Sequence, residues 1–250
     1  MRFDTSGMGQ PHMSQSRRGR RCLLLAAMST VSGCAGRAAL DCGPAPAGPS
    51  VARESIDSEG RRWTFDGPIG AAPAGFALLA SGGRAGTWVI RERPDAPSAP
   101  GVLAQEDSDR TSSRFALVVA PRDSMRNGMV EVRCLSLAGK TDRACGLVWR
   151  LRDADNYYLA RANALEDNVR FYYVQNGSRK EIASWNGPVA SCAWHTLRAD
   201  MRDDHVEVYW DGQKVIDAHD AHFGNAGRVG LWTKADSRTL FDDLTMRGTP

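Results

Sequence analysis

The chain has 250 residues, a mass of 27.2 kDa and a formal net charge of +3, enough length for one sizeable core. The charge is uneven: Arg2, Arg17, Arg18, Arg20 and Arg21 against Asp4 give residues 1–33 a net +4 and leave the rest at −1. A body so close to neutral has no basic field, which excludes nucleic acid as a partner on electrostatic grounds.

The head comes first in chain order. Ser16-Arg-Arg-Gly-Arg-Arg21 precedes the apolar run Cys22-Leu-Leu-Leu-Ala-Ala-Met-Ser-Thr-Val31, too short to span a bilayer, and then small residues. That is the layout of an export signal, and residues 1–33 are assigned to it. Residues 1–15 look like no part of a signal, so Met8 and Met13 stand beside Met1 as candidate starts. Val31-Ser32-Gly33-Cys34 resembles the lipobox of bacterial lipoproteins, which implies cleavage before Cys34 and a diacylglycerol on its thiol. Ala35 in the next position implies sorting to the outer membrane, with the membrane contacted through that lipid alone. Residues 34–58, including "DCGPAPAGPS", read as a Pro/Gly/Ala tether, and residues 59–250 as the folded domain.

Export permits disulfides. With Cys22 removed and Cys34 lipidated, Cys42, Cys134, Cys145 and Cys192 remain. Cys134 and Cys145 flank "LSLAGKTDRA" symmetrically. If Ala138-Gly139-Lys140-Thr141 turns a hairpin, they stand opposed on its two strands, within reach of a bridge. The pairing of Cys42 and Cys192 stays open. No Cys-x-x-Cys or His-x-x-x-His spacing points to zinc.

From about residue 60 the chain reads as strands. Thr87–Arg91, Phe115–Val119, Met129–Arg133, Val206–Trp210 and Gly227–Thr233 are β-branched and aromatic, several of them alternating. Turn signals separate them at Asp155-Asn156, Asn176-Gly177, Asn186-Gly187, Asp203-Asp204 and Asp211-Gly212, the last a two-residue hairpin whose central residues both need positive φ. No capped 3.6-residue apolar period appears. The expectation is an all-β, two-sheet antiparallel jelly-roll sandwich.

"GLVWRLRDADNYYLARANALEDNVRFYYVQNG" and "WHTLRADMRDDHVEVYWDGQKVIDAHDAHFGNAGRVGLWTKADSRTLFDDLTM" resemble the 3-keto-disaccharide hydrolase domain family, densely over residues 145–247 and more loosely from Trp63 to Gln105. The resemblance implies a concanavalin A-like jelly roll, akin to laminin G domains, and hydrolysis of a modified glycoside. It fixes fold more firmly than activity, because the same fold serves lectins and structural modules. A laminin G-like rim could hold calcium, but no loop here gathers enough oxygens to argue for it, and no metal or cofactor is assigned.

The chain nowhere reads Glu-x-Asp-x-Glu, the single-strand carboxylate row of the glucanases that share this fold, so a glucanase of that type is excluded. Glu166, Asp167 and Asp236 are the weak catalytic candidates. Glu166-Asp167-Asn168 has the bland account of a hairpin loop, Asp153-Ala-Asp155 that of a turn, and Asp236 that of an ion pair with Lys234. Alternation instead predicts a polar sheet face. Tyr158, Ala160, Ala162, Val169, Phe171, Tyr173, Leu147, Trp149, Leu151, Val229 and Leu231 point inward, leaving Arg150, Arg161, Asn163, Arg170, Tyr172, Trp232 and Lys234 in a groove. Guanidinium forks, an amide and an aromatic platform suit a carbohydrate. A solvated face of cross-strand pairs is the alternative. His219 and His222 share no face on a strand, which leaves a metal there poorly supported, and His195 alternates with Leu197 and Ala199 as an inner histidine.

The sequence thus describes an exported, lipid-anchored sandwich that engages carbohydrate and either hydrolyses it or holds it as a lectin would. A structural module packed on an unknown protein partner is a third reading, to be recognised by an exposed apolar patch.

Overall fold

The computed structural model describes Cys42 and residues 60–249, apart from the side chains of Arg122 and Asp123. The signal sequence, Cys34 and all of the tether except Cys42 lie outside the described residues.

The strands in chain order begin with β1 (Gly60–Trp63), β2 (Ala77–Ser81), β3 (Trp88–Glu92), β4 (Gly101–Gln105) and β5 (Phe115–Met125). The middle of the chain supplies β6 (Asn127–Ala138), β7 (Ala144–Asp153), β8 (Asn156–Asn163), β9 (Asn168–Gln175) and β10 (Ser178–Asn186). The last five are β11 (His195–Arg202), β12 (His205–Trp210), β13 (Gln213–His219), β14 (Gly227–Lys234) and β15 (Arg238–Thr249). They form two antiparallel sheets. Sheet A runs β13-β12-β11-β6-β15-β4-β3, with β1 added beside β15, and sheet B runs β10-β9-β8-β7-β14-β5-β2. This is the two-sheet antiparallel jelly-roll sandwich that the strand pattern predicts, in the concanavalin A-like form that the family resemblance implies.

Turn chemistry sets the hairpin registers. Asp211 and Gly212 take φ of 49° and 80°, and Asn176 and Gly177 take 50° and 73°, the left-handed pair that a tight two-residue turn requires. With register fixed, alternation sends Leu147, Trp149, Tyr158, Ala160, Val169 and Phe171 of sheet B against Val132, Leu197, Ala199, Val206 and Phe241 of sheet A. Three of these rings pack together at centroid distances of 5.5–5.8 Å, Trp149 stacked on Tyr158 and on Phe171 and the latter two tilted to each other.

Sheet B also buries residues on its other face. Phe115, Leu117, Val119, Val148, Leu151, Tyr157, Leu159, Tyr172, Val174 and Trp232 form a second apolar cluster drawn from sheet B alone. A flat sheet would leave that face in water. Here the sheet coils over itself, so that Ser81 at the end of β2 donates to Asp155 in the β7–β8 turn, and Arg179 of β10 lies 5.2 Å from the Phe115 ring of β5.

The Cys134–Cys145 bridge is present, but its predicted setting is corrected. Residues 139–143 do not turn a hairpin: β6 pairs with β11 and β15, whereas β7 pairs with β8 and β14. The disulfide therefore crosses the core between the sheets, with the Cα atoms 6.4 Å apart. The second bridge joins Cys42 to Cys192 over a sequence separation of 150 and ties the segment at Cys42 to the Trp194–Val89 cluster on the outer side of sheet A.

Candidate functional site

The coiled face of sheet B presents a polar set at one end. Arg161 and Asn163 reach it from the end of β8, Asn168 and Tyr172 from β9, Lys234 from the end of β14, Glu166 from the β8–β9 turn and Asp142 from the β6–β7 connection. Arg161 is the hub. Its Nη1 donates to Asn168 Oδ1 at 2.6 Å, and its Nη2 donates to Glu166 Oε2 at 2.8 Å and to the Tyr172 hydroxyl at 3.3 Å. Arg161 is buried while the Glu166 side chain is 45% exposed, so the pair runs from the floor of the site to solvent. Beside it, Asp142 accepts from the Asn163 amide at 3.0 Å and from Lys234 Nζ at 2.9 Å. Arg170 closes a third pair with Glu181 at 2.6 Å.

The floor is aromatic. Gly146 makes it possible: a Cβ there would stand 2.9 Å from Leu159 Cδ1 and 3.0 Å from Trp232 Cε3, so only hydrogen lets the indole lie across β7. Phe115 packs on Trp232 at 5.3 Å. Arg179 lies over the rings, its guanidinium carbon 4.5, 5.2 and 5.7 Å from the centroids of Tyr172, Phe115 and Trp232. Leu165, in the same turn as Glu166, is one of three large apolar side chains exposed among the described residues and gives the rim an apolar edge.

Six of the seven residues predicted for the groove belong to this face. Arg150 is a correction. It sits at a bulge in β7 with φ of 46° and is 1% exposed. Its Nε, Nη1 and Nη2 donate to the carbonyl oxygens of Arg126, Phe223 and Asp203, which makes it an internal tie rather than a groove residue. Trp232 is corrected in role: it faces the expected side but is fully buried, a floor under other groups instead of an open stacking platform.

Two of the three catalytic candidates, Glu166 and Asp236, are held below the ordinary carboxylate range, and Asp167 is occupied in a turn. Burial pushes the Glu166 carboxyl up, but the hydrogen bond and charge of Arg161 and the Asn168 amide outweigh it and hold Glu166 below the ordinary glutamate range. Asp167 takes φ of 49° in the turn and accepts the Val189 N–H at 3.1 Å. Asp236 accepts the N–H groups of Lys140, Thr141 and Asp142 at 2.8–3.1 Å; these donors overcome the upward push of burial, and the carboxylate braces the connection that carries Asp142. The predicted Lys234–Asp236 pair is replaced by Lys234–Asp142 and Arg110–Asp236.

Two residues escaped the sequence reading. Asp142 lies far along the chain from its partners, and no local pattern marks it. Arg179 was legible: the Asn176-Gly177 turn pairs Arg179 with Val174 and puts it on the Tyr172 face. The histidines behave as loop and inner residues. His222 stacks on Tyr173 and meets Asp220, His219 meets Asp204, and His195 stacks on Trp210 between Asp211 and the Ala190 carbonyl. One ligand-like cluster among the described residues, His205, Glu207 and Asp217, lay unnoticed in the sequence, and the Lys214 ammonium already sits 2.8 Å from Glu207 and 2.7 Å from Asp217.

A hollow of about 690 Å³ opens on the outer side of sheet A, lined by Met129, Arg198, Asp200, His205, Glu207 and Arg247 among others. Two of its charged residues are already paired, Arg198 with Asp200 and Glu207 with Lys214, and no Trp, Tyr or Phe ring lines it. The sheet B end, with aromatic floor, forked donors and an exposed carboxylate, has the better chemistry for a ligand.

Fold and site together define a concanavalin A-like β-sandwich module with a charged mouth at one end of a coiled sheet. No family profile matches the chain. It is 34% identical to the levanase of Bacillus subtilis (strain 168) over 96 residues, which are 38% of this chain and 14% of the levanase. Among solved structures it is similar to the carbohydrate-binding module CBM66 from Bacillus subtilis, with 24% identity and a TM-score of 0.56 over 68% of this chain and 94% of that one. A Bacillus licheniformis β-glucanase aligns at a TM-score of 0.49 and 13% identity over 78% of this chain and all of the glucanase.

Proposed function

We propose that this protein is a carbohydrate-binding module whose sugar site is the Arg161 mouth of sheet B, and that it binds without cleaving. The observation that carries the reading is the Arg161 fork, held by Asn168, Glu166 and Tyr172 over an aromatic floor. A pre-oriented guanidinium beside a solvent-facing carboxylate offers donors and an acceptor to a pair of vicinal hydroxyls, and little side-chain freedom is lost on binding. The likeness to CBM66 and the short stretch shared with a levanase support a carbohydrate ligand, with fructans as the first class to try.

Hydrolysis of a 3-keto glycoside, which the family resemblance implies, needs a carboxyl that keeps its proton near neutrality beside the scissile bond. Glu166, the carboxylate beside the Arg161 fork that faces solvent, is held ionised instead. A third reading, a module packed on a protein, would require an apolar patch. The exposed large apolar side chains among the described residues are Ile69, Leu78 and Leu165, on separate elements. The head sequence and Cys34 support a lipid-anchored placement in the outer membrane.

The test is a glycan array that includes levan fragments, run beside a turnover assay on 3-keto and ordinary glycosides. Binding without turnover, weakened in Arg161→Lys, supports the reading. Turnover that survives repeated purification refutes the non-catalytic part, and silence on every glycan refutes the site.

A further inference from the structure

The charges of the mouth do not cancel. Arg161–Glu166, Arg170–Glu181 and Lys234–Asp142 close three ion pairs, and Arg179 is the cation left over. Its guanidinium makes no hydrogen bond and no ion pair among the described residues, and its Nη1 is sealed from solvent without an acceptor. The rings of Tyr172, Phe115 and Trp232 surround it, and Arg161 stands close enough to repel it. Burial is the largest influence on this group and disfavours its charged form. Ring faces offset part of that cost, but a guanidinium removed from water ordinarily has an anion to meet its fork.

Arg179 also occupies a telling position. It comes from edge strand β10, lies above the aromatic floor instead of within it, and is partly exposed. Of the four cations of the mouth, it is the one without an ion-pair partner among the described residues. Neutral hydroxyls would leave the excess charge in place, whereas a carboxylate on the exposed side of the guanidinium would balance it.

We infer that the preferred ligand is an acidic carbohydrate, a glycan bearing a uronate carboxylate that Arg179 receives. The inference rests on the Arg161 mouth being the sugar site and adds to it the charge of the sugar.

The experiment titrates the purified chain calorimetrically with galacturonate, glucuronate and mannuronate trisaccharides, each beside its carboxyl-reduced neutral counterpart, at low and high salt. The expected result is that at least one uronate binds about tenfold or more tighter than its neutral partner, the advantage shrinking with salt. Arg179→Met, which keeps an unbranched stem over the rings, should erase the advantage, and Arg179→Lys should restore part of it. Equal affinity for acid and neutral partners overturns the acidic-ligand inference and leaves the carbohydrate reading standing. Binding of neither overturns the acidic-ligand inference, and the carbohydrate reading then stands or falls with the glycan array. The acid-to-neutral comparison uses the wild-type chain, so it decides the matter even where Arg179→Met fails to fold.

Discussion

Arg161 and Glu166 meet across the β8–β9 turn with Nη2 2.8 Å from Oε2, the arginine side chain 4% exposed and the glutamate 45%. A buried cation thus meets solvent through a carboxylate on a turn in which Asp167 takes a positive φ. The pairing explains two properties at once. The guanidinium is fixed for recognition, and the carboxylate is kept ionised, which removes it as a proton donor.

Arg161→Ala should therefore do two separable things. It strips Asn168, Glu166 and Tyr172 of their shared donor, and we expect a loss of about 2–3 kcal/mol in chemical denaturation. Arg161→Lys keeps the charge but not the fork, so it should cost less stability while still weakening sugar binding by about tenfold. Equal binding by the lysine variant would mean that charge alone matters.

Gly146→Ala places a methyl group against Trp232 and Leu159 at sub-contact distances. Overpacking of that kind costs about 1–3 kcal/mol, and the displaced indole should lower affinity although Gly146 touches no ligand. Thermal melting and binding isotherms on the same preparation check both halves.

Asp242 gives the fold a pH dependence opposite to that of Glu166 and Asp236. Burial, with Asp243 beside it, pushes its carboxyl up to about 7, against an ordinary value of 3.8. The folded chain therefore holds this proton more tightly than the unfolded chain. Its contribution is full below about pH 4, declines as pH rises toward 7, and amounts to on the order of 4 kcal/mol across that window. Glu131, raised by burial, adds in the same direction. Glu166 and Asp236, whose values are lowered, act oppositely, losing stability only as pH falls below the ordinary carboxylate range. Urea midpoints taken from pH 5 to pH 8 should fall, and Asp242→Asn should flatten most of that slope. An unchanged slope would place the titrating group elsewhere.

The Cys42–Cys192 bridge closes a loop spanning nearly the whole sandwich. Its removal by Cys192→Ser should cost about 2–5 kcal/mol, and mild reduction of the wild type should mimic it. If both leave the melting temperature unchanged, the bridge contributes nothing to the folded unit.

The legible parts of the sequence were those governed by local rules. Asp211-Gly212 and Asn176-Gly177 announce positive φ, and period-two alternation put Arg161, Asn163, Arg170, Tyr172, Trp232 and Lys234 on one face. Alternation failed at Arg150, where a bulge shifts the register and a positive φ turns the side chain toward three carbonyl groups. Symmetry around residues 139–143 suggested a hairpin for Cys134 and Cys145, but whether a connection returns to its own sheet or crosses to the other depends on tertiary packing. The same holds for coiling. Nothing near Trp232 tells that sheet B closes over its own outer face, so the indole could be placed on a face but not assigned a depth. One consequence is practical: Trp232→Ala would open a large cavity and report on folding, not on a sugar contact.

The central claim is the location of the sugar, and side-chain NMR of the full chain tests it most directly. Levan and uronate oligosaccharides would be titrated while the indole N–H of Trp232 and the Nε–H of Arg161, Arg179 and Arg198 are followed. The account predicts shifts at Trp232, Arg161 and Arg179, with Arg198 unmoved. Shifts confined to Arg198, in the hollow on sheet A, would contradict it.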